Sequence, residues 1–250
     1  MAPCAALPPL DGGEDVTDRL WEEQAPNWIA LARAPDESYW AHRDLFFELV
    51  PEPGARTLEI GCGEGRVTRD LRDRGHTVIG IDASPSLLAA AAEADPDGVY
   101  ELSDAAALPF ENERFDLVVA YNSLMDIDDM SGAVREASRV LRPGGHFCIC
   151  VTHPVNDAGR FEHDEPGAAL LISRYRGRRR YDEWFERGGV KMRFVNWCYP
   201  LEAYTTALED AGFLIEAFRE PAVDRSAVTP RGERRLRIPN FLLIRAVKPA

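Results

Sequence analysis

Three glycines and a carboxylate form the most informative cluster in the sequence. Gly61, Gly63 and Gly65 lie in LEIGCGEGRVTRDL (58–71), between a strand-like and a helix-like segment, and Glu59 precedes the first glycine by two residues. Glycines at such a turn let the backbone approach a ligand closely where a side chain would block it. The GxGxG spacing differs from the GxGxxG of dinucleotide-binding turns. Together with Glu59, which could approach an ammonium group, it favours a zwitterionic adenosyl ligand over a pyrophosphate.

Two more carboxylates follow later strand-like segments. Asp82 ends HTVIGID, 21 positions after Gly61, where a carboxylate can accept hydrogen bonds from both ribose hydroxyls. Asp104 lies in SDAAALPF, where it could accept from an adenine amine while Ala105 offers its backbone N–H. Each aspartate has an ordinary alternative, since Asp82 could cap a helix and Asp104 could be a turn residue. Because these residues recur at the ends of successive strands, we predict one shared ligand site.

The segments that must position these residues alternate between strand and helix patterns. Strands are predicted at 57–61, 76–82, 98–102, 115–121, 146–152, 213–220 and 240–247, and helices at 66–75, 84–94, 131–141 and 201–212. This alternation is typical of a parallel sheet covered by helices on both faces. Residues 21–50 predict one or two helices, and residues 1–18 predict a loose segment.

Taken together, these motifs resemble the class I S-adenosylmethionine-dependent methyltransferases, in particular the small-molecule group called methyltransferase type 11. LEIGCGEG resembles the first motif of that family, VIGIDASPSLL (78–88) the second and SDAAALPF the adenine motif. FDLVVAYNSLMDIDD (115–129) resembles the fourth-strand motif, and RVLRPGGHFCI (139–149) the entry to strand five. The resemblance implies S-adenosylmethionine as cofactor and S-adenosylhomocysteine as product. It also implies an α/β, Rossmann-like, seven-stranded, mostly parallel sheet with an antiparallel last strand.

The predicted cofactor site combines the strand-end motifs with part of the N-terminal region. Its residues are Glu59, Gly61, Cys62, Gly63, Gly65, Asp82, Ala83, Asp104, Ala105, Tyr121, Asn122, Tyr39 and Arg43. Tyr39, Trp40 and Arg43 could fold over the cofactor, or their helix could simply pack on the sheet edge. We predict a helical extension or cap at 1–50 and a methyltransferase domain at 51–250.

A methyl acceptor would bind at the carboxyl ends of strands four and five. His153 directly follows strand five and is the first candidate for a general base, which is needed only where the acceptor atom holds a proton at neutral pH. The alternative is a histidine that is hydrogen-bonded structurally or lines the pocket without accepting a proton. Asp126 is the second candidate, with helix capping as its alternative, and His42 and His163 are weaker candidates.

The segment at about 153–200 interrupts the alternation and is rich in aromatic residues. We predict that it forms an inserted lid over an apolar or aromatic small molecule. Its run RYRGRRR (174–180) could be a solvated loop, or its arginines could hold a carboxylate or phosphate of that molecule.

Composition and charge exclude several classes of partner. The net charge of −13 argues against general polyanion binding, and AYNS (120–123) replaces the NxPPY-like signature of enzymes that methylate nucleic acids or glutamine amides. No apolar run approaches the roughly 18 residues of a membrane span, and the N-terminus lacks an ordinary secretory signal. The cysteines show neither zinc-site nor disulfide spacing. We therefore predict a cytoplasmic monomer or homodimer with a small-molecule substrate and without metal, nucleic acid or membrane partners.

The function predicted from the sequence is methyl transfer from S-adenosylmethionine to an oxygen or nitrogen atom of an apolar or aromatic small molecule, with secondary metabolites as one candidate class. Two alternatives stay open. The same fold and cofactor could serve chemistry other than methyl transfer, as in cyclases. The chain could also be a non-catalytic regulator that binds the cofactor.

Overall fold

The computed structural model describes residues 16–34, 37–162, 168–172, 174–222 and 236–250. Its strands are β1 (Thr57–Ile60), β2 (Val78–Asp82), β3 (Val99–Leu102), β4 (Phe115–Tyr121), β5 (Leu141–Thr152), β6 (Gly159–Phe161), β7 (Leu170–Ile172), β8 (Arg179–Arg187), β9 (Val190–Cys198), β10 (Leu214–Arg219) and β11 (Phe241–Val247). Its helices are α1 (Val16–Ala32), α2 (Ser38–Phe47), α3 (Arg66–Asp73), α4 (Pro85–Ala94), α5 (Met130–Val140), α6 (Pro154–Ala158) and α7 (Leu201–Asp210), with a 3₁₀ turn at Leu124–Asp126. Within the described residues, no helix is both long and apolar enough to cross a membrane.

Seven strands form the central sheet in the order β10-β11-β5-β4-β1-β2-β3. Strands β1 to β5 are parallel to one another, whereas β11 is antiparallel to both β5 and β10. This confirms the predicted seven-stranded, mostly parallel sheet with an antiparallel last strand. The strand order reverses between β1 and β4, and ligands of such sheets bind at the carboxyl ends of the strands beside this reversal.

Helices cover both faces of the sheet, as predicted. Strand β4 is buried along its whole length, which explains its nearly continuous apolar sequence. On one face, α5 and α7 pack against side chains such as Leu58 and Ile149, and on the other, α2 and α3 pack against Val119, Cys148 and Cys150. The alternation of Cys148 and Cys150 along β5 therefore places both thiols in the same apolar layer.

The regions before and within the sheet domain have more regular structure than the sequence indicated. Val16–Ala32 and Ser38–Phe47 form two helices, and α1 already begins at Val16, inside the segment predicted to be loose. The predicted lid region contains α6 and two antiparallel strand pairs, β6 with β7 and β8 with β9. The hairpin of β8 and β9 packs on α1.

Candidate active site and cofactor cavity

The turn between β1 and α3 has a shape that only glycine permits at two positions. Gly61 has a φ of +69° and Gly65 a φ of +83°, a backbone region that strongly favours glycine. A Cβ at Gly61 would collide with the side chain of Ser123, and one at Gly65 would lie 2.9 Å from the Cβ of Ala91. The tight turn thus brings its backbone against Ser123, which follows β4, and against Ala91 of α4.

A cavity opens beside this turn, at the carboxyl ends of β1, β2 and β4. Many of the residues predicted for the cofactor line it: Glu59, Gly61, Cys62, Gly63, Asp82, Ala83, Asp104, Ala105, Tyr121 and Asn122. Gly65 does not line the cavity, because it packs against Ala91 and Tyr100 behind the turn.

Asp82 is held at the cavity wall by two backbone groups. Its Oδ2 accepts the N–H of Gly63 at 2.8 Å, and its Oδ1 accepts the N–H of Ser84 at 2.9 Å. Burial raises the pKa of Asp82, although these N–H groups oppose the shift. Each carboxylate oxygen retains acceptor capacity beyond one N–H, so the pair can take two ribose hydroxyls.

Glu59 is a buried carboxylate, 1% exposed, at the end of β1. Burial raises its pKa to about 8, while a hydrogen bond from Thr68 acts in the opposite direction and the nearby charge of Asp82 raises the pKa further. An ammonium group at this carboxylate would supply the compensating positive charge. The site therefore fits the amino-acid end of S-adenosylmethionine.

Asp104 and Ala105 form the far side of the cavity. The Oδ1 of Asp104 accepts the backbone N–H of Ala106 at 2.8 Å, which fixes the turn after β3. Asp104 is exposed and Ala105 is buried, and both lie at the cavity wall. A ligand that spans from Glu59 past Asp82 to Asp104 would thus meet polar groups suited to its amino, ribose and adenine parts.

Helix α1, rather than α2, covers the cavity. Trp21 and Trp28 line it, and Glu22 accepts hydrogen bonds from Ser84 and Ser86 at the start of α4. These residues were missed because no motif in the N-terminal sequence marks a ligand site. The aromatic and acidic character of these side chains, in a segment predicted to be helical, is the one signal that could have suggested a position at the ligand site.

Tyr39 and Arg43 lie outside the cavity, in contrast to their predicted position over the cofactor. The hydroxyl of Tyr39 donates to Asp70, and Nε of Arg43 donates to the same carboxylate at 2.6 Å. Trp40 is exposed and donates to the carbonyl of Ala34. These contacts pack α2 on α3. The helix of Tyr39, Trp40 and Arg43 therefore packs against the rest of the domain instead of folding over the cofactor.

A second cavity meets the first one and is called here the acceptor cavity. The two cavities share four wall residues, which are Trp21, Trp28, Asn122 and Asp126. Apolar side chains from the sheet, the N-terminal helix and the lid region line the acceptor cavity: Leu31, Met125, Leu171, Ile172, Phe185, Phe194 and Phe241. Among the residues that the structure describes, the two cavities thus adjoin at these four side chains.

Asn122 has a left-handed backbone, with a φ of +51°, at the carboxyl end of β4. Asparagine tolerates this conformation better than most residues, and such backbone geometry concentrates at functional sites. Its N–H donates to the carbonyl of Cys150 at 2.8 Å, which anchors the chain where it leaves the sheet. Asn122 thus lies at the point where the two cavities meet.

Asp126 is the predicted base candidate that lies at the junction of the cavities. Burial raises its pKa well above the ordinary range, the charge of Asp82 adds to this shift, and a hydrogen bond from Trp21 opposes it. Asp129, not Asp126, caps α5 by accepting the N–H of Gly132 at 2.8 Å. A carboxylate at the junction of the two cavities is placed to accept a proton from a molecule bound there.

His153 has a structural position that does not fit the predicted role as a base. Its Nδ1 accepts the N–H of Val155 at 3.2 Å and so caps α6, and its Nε2 lies 2.9 Å from Oε1 of Glu220. With Nδ1 accepting, Nε2 carries the proton and donates it to Glu220. His153 lines neither cavity, and burial lowers its pKa. The structure thus favours the hydrogen-bonded alternative.

His42, one of the two weaker histidine candidates, lines neither cavity. His42 is buried on α2, where its Nδ1 lies 2.8 Å from the carbonyl of Ser38 and its ring meets Phe241 edge-on. His163 lies outside the described residues.

Asp128 links three separate parts of the chain at the wall of the cofactor cavity. It accepts hydrogen bonds from Trp197 Nε1 at 2.6 Å, Thr17 Oγ1 at 2.8 Å and Arg180 Nη1 at 3.2 Å. Burial opposes these contacts, but together they lower the pKa of Asp128. No local pattern indicates this role of Asp128, because its partners are between 52 and 111 positions away in the chain.

The comparisons with known proteins agree with this geometry. A family model described as a methyltransferase domain matches residues 58–149. An uncharacterized methyltransferase of Synechocystis sp. is 32% identical over 142 residues, which cover 54% of this chain and 67% of that protein. The 27-O-demethylrifamycin SV methyltransferase of Amycolatopsis mediterranei is 31% identical over 180 residues, which cover 65% and 66% of the two chains.

Solved structures share the fold over most of the chain. An S-adenosylmethionine-dependent methyltransferase from Mesorhizobium loti has a TM-score of 0.68 and 27% identity, covering 87% of this chain and 99% of its own. The [4+2]-cyclase SpnF has a TM-score of 0.66 and 20% identity, covering 94% and 97%, and shows the fold alone.

Fold, cofactor cavity and comparisons together define the class of protein. The chain belongs to the class I S-adenosylmethionine-dependent methyltransferases. Within that class, its matched segment is a methyltransferase domain, and its cofactor is S-adenosylmethionine. The chain spans about half to two thirds of the length of the first curated relatives that it matches.

Proposed function

We propose that this protein transfers the methyl group of S-adenosylmethionine to an oxygen atom of an apolar or aromatic small molecule, with nitrogen as the second choice of acceptor atom. The observation that carries the proposal is the position of Asp126 between the cofactor cavity and the aromatic acceptor cavity. A hydroxyl keeps its proton at neutral pH and so needs a base, which a carboxyl with a raised pKa can be. The names of several relatives, including a ubiquinone biosynthesis O-methyltransferase, support oxygen.

In this proposal the chain mainly positions the reactants. The cofactor supplies a methyl group that is already strongly electrophilic. Glu59, Asp82 and Asp104 hold the amino, ribose and adenine parts of the cofactor. Asn122 borders the opening through which the acceptor atom approaches. Alignment of two bound reactants can lower the barrier by up to about 7–11 kcal/mol. Asp126 accepts the proton of the acceptor, and the hairpin of β8 and β9 with α1 excludes water.

The test is the Asp126→Asn variant, assayed with a panel of aromatic hydroxyl and amine compounds. We expect turnover to fall about 10²- to 10⁴-fold, the usual contribution of a general base. Binding of S-adenosylhomocysteine should stay within about threefold of wild type, because Asp126 lies at the edge of that cavity. Wild-type turnover should fall at low pH as Asp126 becomes protonated, and the variant should lose this dependence.

Glu111→Gln is the control, because Glu111 is exposed and lines neither cavity. Products heavier by one CH₂ unit, measured by mass spectrometry, report methyl transfer directly. Undiminished turnover of Asp126→Asn would exclude the base role.

A second candidate function is chemistry without methyl transfer. The fold shared with a [4+2]-cyclase keeps this candidate open. Consumption of an acceptor without a methylated product and without S-adenosylhomocysteine would favour it. Cofactor binding without turnover of any compound in the panel would favour a regulator.

The remaining features of the proposal concern the setting of the reaction. The net charge of −13 and the aromatic lining of the acceptor cavity favour a small molecule over a nucleic acid as substrate. We place the reaction in the cytoplasm and expect a monomer or homodimer, which light scattering after gel filtration distinguishes.

A further inference from the structure

Strand β8 presents one set of alternating side chains to the acceptor cavity. Arg179, Tyr181, Glu183, Phe185 and Arg187 all line it, as the two-residue period of a strand requires. One arginine of the run at 174–180 therefore reaches the place where the acceptor would bind.

Two charged side chains on the alternate face of β8, Arg180 and Asp182, already have partners of opposite charge. Arg180 pairs with Asp128, and Asp182 forms two hydrogen bonds of 2.7 Å with Arg193 on β9. The charged side chains on this face thus serve to hold the hairpin together and to attach it to the rest of the chain.

The guanidinium of Arg179 has a different environment. Its Nη2 donates to the main-chain carbonyl of Asp157 at 2.6 Å, and its Nη1 makes a longer contact of 3.5 Å with the carbonyl of Arg180. Its Nε is buried without a hydrogen-bond partner among the described residues. Carbonyl groups orient a guanidinium but do not neutralise its charge, so Arg179 brings a positive charge to the cavity wall.

Four carboxylates line the acceptor cavity, and they belong to Glu37, Asp126, Asp157 and Glu183. Glu37 pairs with Arg66 at 2.8 Å, the carboxylate of Asp157 accepts from Thr152 at 2.7 Å, and that of Glu183 accepts from Tyr181 at 3.3 Å. Burial raises the pKa of Asp157 to about 6, and the nearby charge of Arg179 opposes that shift. No ion pair to Arg179 occurs within the parts of the chain that the structure describes. A ligand group of opposite charge would complete the hydrogen bonding of this side chain.

We propose that the acceptor substrate carries a carboxylate that binds Arg179, while its apolar or aromatic part lies against Phe185, Phe194 and Ile172. This inference rests on the proposed function, whose acceptor it describes more closely. A planar guanidinium matches the two oxygens of a carboxylate, and such charged hydrogen bonds are roughly twice as strong as neutral ones. Burial of Ile172, which is 48% exposed, adds apolar contact.

The experiment measures binding of matched pairs of compounds to protein saturated with S-adenosylhomocysteine. The probes are hydroxynaphthoates and hydroxycinnamates, each compared with its carboxamide. Calorimetry should show that each acid binds wild-type protein about tenfold tighter than its amide, as a charged hydrogen bond predicts. Arg179→Gln should remove this preference, and Arg179→Lys should keep part of it.

Arg178→Gln is the matched control, because Arg178 belongs to the same run but stacks on Trp197, 3.4 Å from its ring centre, outside the acceptor cavity. It should keep the preference for acids. Acids that bind wild-type protein no better than their amides, including the case in which neither binds, would overturn the proposal. A preference that persists in Arg179→Gln would do the same.

The result stays separate from the test of the proposed function. Titration with S-adenosylhomocysteine shows that each variant is folded and binds the cofactor product. Methylation of uncharged phenols in the panel tests methyl transfer without involving Arg179. A methyltransferase without preference for acids would therefore contradict only the inference about the substrate.

Discussion

Glu59 is a carboxylate that the free protein buries at an energetic cost. Its folded pKa of about 8 lies above the ordinary value of 4.5, so the folded state binds this proton more tightly than the unfolded state does. The free energy of unfolding contributed by Glu59 therefore falls as the pH rises from 4.5, and the loss is complete above about pH 8. A bound ammonium group would reverse part of this cost.

We predict that Glu59→Gln stabilises the free protein and weakens cofactor binding. At pH 8 the unfolding midpoint should rise by roughly 2 to 12 °C, because a buried carboxylate that lacks a charged partner costs roughly 1–3 kcal/mol. Affinity for S-adenosylhomocysteine should fall at least about tenfold, since the variant loses a charged hydrogen bond to the ligand. Differential scanning calorimetry and isothermal titration measure the two effects.

Glu64→Gln provides the matched control for this prediction. Glu64 is also buried in the glycine turn, but its carboxylate pairs with Arg69 at 2.7 Å. Its removal leaves a cation unpaired and should lower the midpoint. If Glu59→Gln also lowered it, Glu59 would be a stabilising residue and the interpretation would be wrong.

Single residues could be predicted from the sequence where their role depends on neighbours in the chain. Glu59, Asp82 and Asp104 each lie in a continuous strand-and-turn motif, and all three line the cavity. His153 could not be assigned in this way, because its partner Glu220 is 67 positions away. Its location after β5 was correct, whereas the direction and bonding of its ring depend on the tertiary structure.

At the scale of elements, the hairpin of β8 and β9 is joined to α1 by one carboxylate and a group of rings. Asp128 binds Thr17 of α1, Arg180 of β8 and Trp197 of β9. Trp21 and Trp28 of α1 meet Phe194 of β9 edge-on, with ring centres 6.3 Å apart. The cover of the acceptor cavity therefore consists of two elements that hold each other in place.

We predict that Asp128→Ala loosens both elements at once. Amide hydrogen exchange should become faster in β8, β9 and the first turns of α1, because three hydrogen bonds to Asp128 are lost together. The exchange of β1 and β4 should not change. The Michaelis constant for the acceptor should rise more than that for S-adenosylmethionine.

Asp182→Ala separates this effect from a general weakening of the hairpin. It removes the pair with Arg193 inside the hairpin and leaves the contacts of Asp128 intact. Exchange should rise in β8 and β9 only. Unchanged protection of α1 in Asp128→Ala would contradict the proposed link.

The elements of the sheet were more predictable than those of the cover. Strands β1 to β4 appear within two residues of their predicted bounds, because glycine turns and a regular change of period mark them. Strand β8, RRYDEWFER, carries charges on both faces, since one face pairs with neighbours and the other lines a cavity. Its pattern resembles a solvated segment, so local sequence could not identify it as a strand.

At the scale of the whole molecule, the cofactor cavity is built mainly from turns of the central sheet, with α1 as its cover. A ligand that binds there stabilises the folded state by mass action, about 2.7 kcal/mol at a hundredfold excess over its dissociation constant. For a chain of this size, this corresponds to roughly 5 to 11 °C in the unfolding midpoint.

We therefore predict that saturating S-adenosylhomocysteine raises the midpoint of the wild-type protein by this amount. Asp82→Ala should remove this ligand-dependent increase, because the ribose hydroxyls lose their hydrogen-bond acceptor. This comparison does not depend on the midpoint of the variant without ligand. Differential scanning fluorimetry measures both proteins with and without ligand. An equal increase in the variant would show that Asp82 does not hold the cofactor.

The separation of the two cavities in the sequence has an evolutionary consequence. The donor side depends on turns between residues 59 and 129, whereas much of the acceptor wall comes from α1 and from the hairpin of β8 and β9. Mutations on the inner face of β8 can change which molecule is accepted while the cofactor contacts are inherited unchanged. Selection can thus act on substrate range and on cofactor use almost independently, and a gene of this design can diverge towards new acceptors without losing its methyl donor.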